Sequence, residues 1–533
     1  MTLRTVLPAL VAVVLLFAFP LVVDNPYYIH LLQTIAIYAI LLFGLDIVVG
    51  YTGQVSLGHA GLFGIGAYTA GVLFTKLAAP LLVTLAGGVV VTAAFGALLA
   101  LPALRVTGPY LAMVTLAFGT IVQILINEMT DLTNGPMGIT LPRPRLLGMT
   151  LDDRAYFWLV CVLLVLALVV VHRILRSHLG RAFEALRGSP VACDCMGVSV
   201  YRYKVYAFVI SAGMAGLAGS LYAYSEKYIS PNTYNFELTV MFLLAVIMGG
   251  RKSRIGALLG AAIIVVLPKL LDDVFLFRIV SVTLAVLVAV GALVFVVRGR
   301  STPARVAIPV AGSAALALLS FVLTSMTDWR LSIFGLITLL VVYYLQDGIV
   351  GFARHTLGLH GHGRSDALAA ARLPAPADAV ARAMAGAAAM GTQELLAARK
   401  LLMQFGGLKA LNDVDLNVVR GSIHGLIGPN GSGKSTMMNV LTGIYVPTAG
   451  HIAFKGQSIV GRTSARIALS GIARTFQNVQ LFGEMTALQN VLVGLHHSYR
   501  SNLLDVALHL PRYLREERAA AALSTSLLRI VGL

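Results

Sequence analysis

Residues 428–436 read Gly-Pro-Asn-Gly-Ser-Gly-Lys-Ser-Thr, and each type at its spacing has a chemical use. Gly428, Gly431 and Gly433 let neighbouring backbone N–H groups turn toward one point, where a Cβ would obstruct, so they can wrap phosphate oxygens. Pro429, Asn430 and Ser432 complete that loop. Lys434 supplies a point charge for the β- and γ-phosphates. Ser435 offers a hydroxyl to Mg²⁺, and Thr436 opens a helix whose N-terminal dipole favours an anion. Gly428 to Ser435 fits G-x-x-x-x-G-K-[ST] in full. The motif demands a strand before it and a helix after it, and SIHGLIG (422–428) and MMNVLTG (437–443) are read as those elements. The ligand expected of this constellation is ATP with Mg²⁺.

Two nearby residues carry weaker signals. Phe405, in LLMQFGG, can stack its ring on adenine, although an aromatic before a strand is often core. Gln477, in ARTFQN, has an amide able to coordinate Mg²⁺ or an attacking water; by its own chemistry it is equally a surface glutamine. Cys161, Cys193 and Cys195 give neither a disulfide framework nor zinc spacing.

The elements that must position these residues belong to two different bodies. The chain of 533 residues is 58% hydrophobic and 12% charged, about half the charge density of a soluble domain. Apolar runs dominate residues 1–352, a polytopic α-helical membrane domain of about twelve spans, some re-entrant or short. These lie near residues 5–23, 28–49, 55–78, 80–101, 107–128, 157–173, 205–225, 236–250, 255–272, 276–297, 306–325 and 331–350. The first is read as a retained helix, since no small-residue cleavage pattern follows it. Residues 353–396 read as an Ala- and Pro-rich linker. Residues 397–533 read as part of an α/β P-loop domain, with alternation at Leu411, Val414, Leu416 and Val418 marking a strand.

A formal net charge of +17 invites a nucleic-acid partner. The basic residues instead sit in short loops between apolar runs, as cytoplasmic loops require, and no nucleic acid is expected. With Met1 inside, the loops 172–187, 251–254 and 298–305 and the C-terminal body all fall inside. The implied location is a bacterial plasma (inner) membrane, with the ATP-binding part cytoplasmic and lipid around the spans.

Within the apolar part, Gly50–Gly71 is dense in glycine, which suits close helix packing or a broken helix beside a translocation path. Gln54 and His59 favour the second reading. Asp46 is ionisable within a span, though near its end. In the loop 180–204, Glu184-Ala185-Leu186 opens a short amphipathic helix, and Gly197 lies thirteen residues beyond Glu184.

GPNGSGKST, followed by GHIAFKG (450–456) and ARTFQN (473–478), resembles the ATP-binding domain of ABC transporters. GLDIVVGYTGQVSLGHAGLFGIGAY (44–68), VTLAFGTIVQILINEMTDLTNGPMGI (114–139) and MGGRKSRIGALLGA (248–261) are similar to the permease of branched-chain amino acid ABC importers. The resemblance covers most of the chain apart from the linker and part of 275–330. It implies Phe405 as adenine platform, residues 428–436 as phosphate loop, Gln477 as the glutamine-loop residue and Glu184 to Gly197 as the coupling contact with the ATPase. It also implies a substrate-binding protein outside the membrane, a second permease subunit and a second ABC ATPase subunit as partners. A downstream signature motif, a Walker B strand and a switch histidine are expected after Gln477 and do not follow it. The chain reads as truncated, and efficient ATP turnover is not expected of it alone. Import of urea, short amides or aromatic acids by the same machinery stays open. So do an exporter half-transporter and a non-hydrolysing assembly or regulatory module.

Overall fold

In a bilayer every backbone N–H and C=O must be satisfied within the protein, so long apolar runs form helices. The structure, a computed structural model, describes residues 3–103, 108–146, 148–272, 274–297, 303–322, 348–356, 394–476 and 480–532, with a few isolated positions between them. Its principal N-terminal helices are α1 (Leu3–Val22), α2 (Pro26–Asp46), α3 (His59–Leu77), α4 (Leu81–Ala103), α5 (Pro109–Glu128), α6 (Asp153–Arg176), α7 (His178–Gly188), α8 (Pro190–Cys195), α9 (Val200–Glu226), α10 (Phe236–Gly249), α11 (Arg254–Asp272), α12 (Val274–Val297) and α13 (Pro303–Val322).

Among the described residues, seven helices are long and apolar enough to cross a membrane: α2 with the turn after it, α3, α4, α5, α6, α9 and the middle of α12. Shorter apolar helices cover Val11–Val22 and Phe236–Gly249. About twelve spans were expected; the span at 331–350 and the linker lie largely outside the described residues. One expected boundary is corrected. Residues 55–58 do not open the third span, because α2 runs into a π-helical turn, Ile47–Tyr51, and the backbone stays irregular until His59. Gly53, with φ of 69°, takes a left-handed conformation that ends helical winding there.

The chain divides into two compact units. One comprises Met1–Gly50, Gln54–Leu168 and Phe208–His360; the other comprises Tyr51–Gly53, Val169–Ala207 and Gly361–Leu533.

In the first unit, glycines let backbones touch. A Cβ on Gly66 would stand 2.4 Å from the Gly216 carbonyl oxygen, and one on Gly61 would stand 2.9 Å from Gly119 Cα. Close packing of α3 on α9 and α5 is therefore what the glycine-dense stretch provides. A two-residue ladder, Ile139–Thr140 against Tyr228–Ile229, ties the segment after α5 to the end of α9.

In the second unit an antiparallel sheet of four strands, β1 (Glu394–Phe405), β2 (Leu408–Val419), β3 (Ala449–Phe454) and β4 (Gln457–Ser458), runs in the order β2-β1-β3-β4. Helix α14 (Lys434–Leu441) buries Met437, Val440 and Leu441 against Leu401, Leu411 and Ile452 of that sheet. Helices α15 (Ser464–Ser470), α16 (Ala487–Gly494), α17 (Leu503–Leu508) and α18 (Pro511–Ile530) follow. The expected strand at 422–428 is absent. Ile423 and Ile427 are 101% and 93% exposed, and no described strand lies beside them to complete a ladder.

Candidate nucleotide site and coupling contact

The phosphate loop hangs between β2 and α14. Gly428, Gly431 and Gly433 have φ of 157°, 86° and 88°, values an L side chain resists. A Cβ would stand 2.7 Å from Ser432 Oγ at Gly428 and 2.6 Å from the Ala410 carbonyl oxygen at Gly433. Gly433 caps α14, so the first-turn amides of that helix, including those of Lys434, Ser435 and Thr436, lack intrahelical acceptors and face the loop's end. Lys434 Nζ donates to the carbonyl oxygens of Gly428 and Pro429, each at 2.7 Å, which folds the ammonium over the loop. Left-handed glycines, a helix N-terminus and a folded-in ammonium suit the phosphates of a nucleotide, and the Ser435 hydroxyl suits its Mg²⁺.

Phe405 ends β1 at 43% exposure and packs edge-to-face on Tyr445, with ring centroids 5.2 Å apart. Gln477 lies outside the described residues. Three positions before it, Arg474 Nη1 donates to Asn439 Oδ1 at 2.6 Å and Thr442 Oγ1 at 3.2 Å, tying the ARTFQN segment to α14 and the turn after it. Arg474 stands inside a segment the sequence singles out, but its partners lie more than thirty residues away.

The loop expected to couple the two activities folds into the second unit. Helix α7 begins at His178, earlier than the expected opening at Glu184; Ser177 caps it, accepting from Leu179 N at 3.1 Å. Ala185 and Leu186 are buried with Ala182, Cys193, Phe482, Met485 and Val493 in one apolar cluster. Glu184 is half-buried on the same helix. Gly197 has φ of 84°, and a Cβ there would stand 3.0 Å from Leu469 Cδ2.

Sequence reasoning missed the polar centre of this contact. Arg181, 8% exposed, donates Nη1 to Glu517 Oε1 at 2.5 Å and Nη2 to Glu517 Oε2 at 2.9 Å and to the Tyr499 hydroxyl at 2.8 Å. Burial opposes the Arg181 charge, and the hydrogen bond and negative charge of Glu517 overturn that and raise its pKa. The His178 ring stacks on Tyr499 at 4.5 Å, with His496 5.4 Å away. Burial, and then the Arg181 charge, lowers the His178 pKa to about 3; burial, and then His178, does the same to His496.

In the first unit, the three polar residues proposed for a path have different settings. Asp46 is buried and accepts from Lys252 N at 3.0 Å, so it fixes backbone at the end of α2. His59 is fully buried between Ser56 Oγ at 2.9 Å and Ser211 Oγ at 2.7 Å. Gln54 is 7% exposed, and neither its amide nitrogen nor its oxygen has a hydrogen-bond partner among the described residues. Among those residues no cluster of three or more His, Cys, Asp or Glu could hold a metal, and the three cysteines are free and buried.

A family model described as the permease component of the branched-chain amino acid transport system matches residues 27–297, and an ABC transporter model matches residues 411–530. The high-affinity branched-chain amino acid transport system permease protein LivM of Salmonella typhimurium is 41% identical over 264 residues, covering 44% of this chain and 62% of that protein. The high-affinity branched-chain amino acid transport ATP-binding protein BraF of Pseudomonas aeruginosa is 43% identical over 142 residues, covering 27% of this chain and 56% of its own. The chain thus spans about three fifths of its permease relatives and just over half of its ATP-binding ones. A solved nucleotide-free ATP-binding cassette from an ABC transporter shares 35% identity over 24% of this chain and 50% of its own, with a TM-score of 0.20.

Proposed function

The chain belongs to the family of branched-chain amino acid transport system permeases and carries an ABC transporter segment behind the permease, and from that premise we propose that it takes part in ATP-driven import of branched-chain amino acids. The observation that carries this reading is the place of the 169–207 segment: permease sequence built into the same compact unit as the phosphate loop. Nucleotide held by residues 428–436, with Mg²⁺ at Ser435 and Gln477 and adenine on Phe405, closes two ATPase domains. The closure reaches the permease through Glu184, Ala185, Leu186 and Gly197. A second ATPase, a second permease subunit and an extracytoplasmic binding protein complete the assembly in the inner membrane. Gln54, buried beside the broken helix with a side-chain amide that has no partner among the described residues, fits a substrate path with His59, since interrupted helices place polar groups where a membrane protein binds its cargo.

The test is uptake of labelled leucine by cells expressing the full-length gene with its binding-protein partner. Lys434→Ala removes the phosphate-facing charge and is expected to abolish uptake; equal uptake would remove ATP drive from the account. Nucleotide binding without turnover would favour an assembly module instead.

A further inference from the structure

A cavity of about 170 Å³ opens in the first unit where the N-termini of α2 and α6 meet the C-terminus of α9. Its charged groups carry both signs. Asp153, in the first turn of α6, faces Lys227 Nζ at 3.5 Å and Arg143 Nη2 at 3.9 Å. On the α2 side, His30 Nε2 lies 3.3 Å from Glu226 Oε1. These separations exceed the roughly 2.7–2.9 Å of a closed charge-assisted hydrogen bond, so the groups attract one another without sealing the space. Arg181 and Glu517 show the closed alternative in the same protein, at 2.5 and 2.9 Å.

The rest of the lining is apolar or already satisfied. Gln33 is buried and donates to Ser225 Oγ at 2.5 Å. Tyr156 donates to the Leu221 carbonyl at 2.7 Å, and the Tyr224 hydroxyl bonds Thr84 Oγ1 at 2.9 Å. With their hydroxyls committed elsewhere, both rings offer the cavity carbon surface, beside Ile29 and Leu151. An apolar cavity of about 150 Å³ accommodates benzene, so this one has room for a branched aliphatic side chain.

We infer that this cavity is a binding site for a free aliphatic α-amino acid, its ammonium toward Asp153, its carboxylate toward Lys227 and Arg143, and its side chain against Ile29, Leu151 and the tyrosine rings. The choice of ligand rests on the importer reading; the site does not require ATP. A phosphoethanolamine headgroup shares the two charges, so the test must separate the two sources.

The full chain is reconstituted in phosphatidylcholine nanodiscs with Leu151→Cys, an uncharged lining position, and alkylated with a charged maleimide. The unsubstituted chain, whose cysteines are buried, gives the background. Leucine at twice its Kd slows labelling about threefold, because the free fraction falls as 1/(1 + [L]/Kd). Leucinamide, which lacks the carboxylate, and 4-methylpentanoate, which lacks the ammonium, leave the rate unchanged. Asp153→Asn and Lys227→Met each abolish protection, so that leucine no longer slows labelling relative to the same variant without ligand. No protection by leucine, equal protection by leucinamide or by glycerophosphoethanolamine, or no labelling of either Leu151→Cys or Pro144→Cys would overturn the inference. Protection without ATP-driven uptake would leave the site standing and sink the importer reading; uptake without protection would do the reverse.

Discussion

At Arg181 a full positive charge sits almost wholly inside protein, satisfied by both oxygens of Glu517 and by Tyr499. Such a pair contributes little net stability against an apolar substitute, yet removing one member strands the other. Arg181→Met and Glu517→Gln should each lower the local stability of α7 and α18 by about 3 kcal/mol, read from amide hydrogen exchange of the full chain. Arg181→Met combined with Glu517→Met should recover most of that loss. Losses that simply add would show that the two residues act independently. The pair was not legible in the sequence, because its members are 336 residues apart and each, read locally, is an ordinary charge on an amphipathic helix. The phosphate loop was legible for the opposite reason: all its working residues fall within one short run and need only local geometry.

Elements divide along the same line between local and distant causes. Apolar length alone locates α2 to α6, and the strand at 408–419 shows in its own alternation. The run 422–428 looks like a strand by composition, but a strand exists only through a neighbour, and no described residue supplies the ladder. Glycine density announced close packing near Gly61 and Gly66 without saying which helices approach. The structure supplies the partners and a graded test. Gly66→Ala would press a methyl 2.4 Å from the Gly216 carbonyl oxygen, whereas Gly213→Ala meets nothing nearer than Val89 Cγ1 at 3.6 Å. Thermal unfolding in detergent should show Gly66→Ala destabilised by about 1–3 kcal/mol from overpacking. Gly213→Ala should be neutral or stabilised by up to about 1 kcal/mol, since alanine favours helix. Equal effects would mean that α3 and α9 do not touch as described.

For the whole molecule, the boundary between units does not follow the boundary between the oily and polar halves of the sequence, because residues 169–207 belong with the C-terminal body. That body should stay attached after the chain is cut between Ala371 and Gln393, at an engineered protease site, and its hold should depend on pH. His178 and His496 face each other, Arg181, Tyr203 and Tyr499, with Tyr513 and Glu517 on α18 nearby and His497 adding its charge beside His496. Both imidazoles have pKa near 3 in this setting, and the parted forms return to about 6.5. The parted state therefore binds more protons below pH 6.5, so attachment is full above that value and weakens as pH falls from 6.5 toward 3. By pH 5 the loss amounts to about 2 kcal/mol for each histidine. Cleaved protein captured by an N-terminal tag should retain the C-terminal fragment at pH 7.5 and release it progressively at pH 5. His178→Phe combined with His496→Phe should flatten that dependence while keeping the ring contacts, whereas pH-independent retention in the parent chain would place the two histidines outside the contact that joins the permease segment to the ATP-binding body.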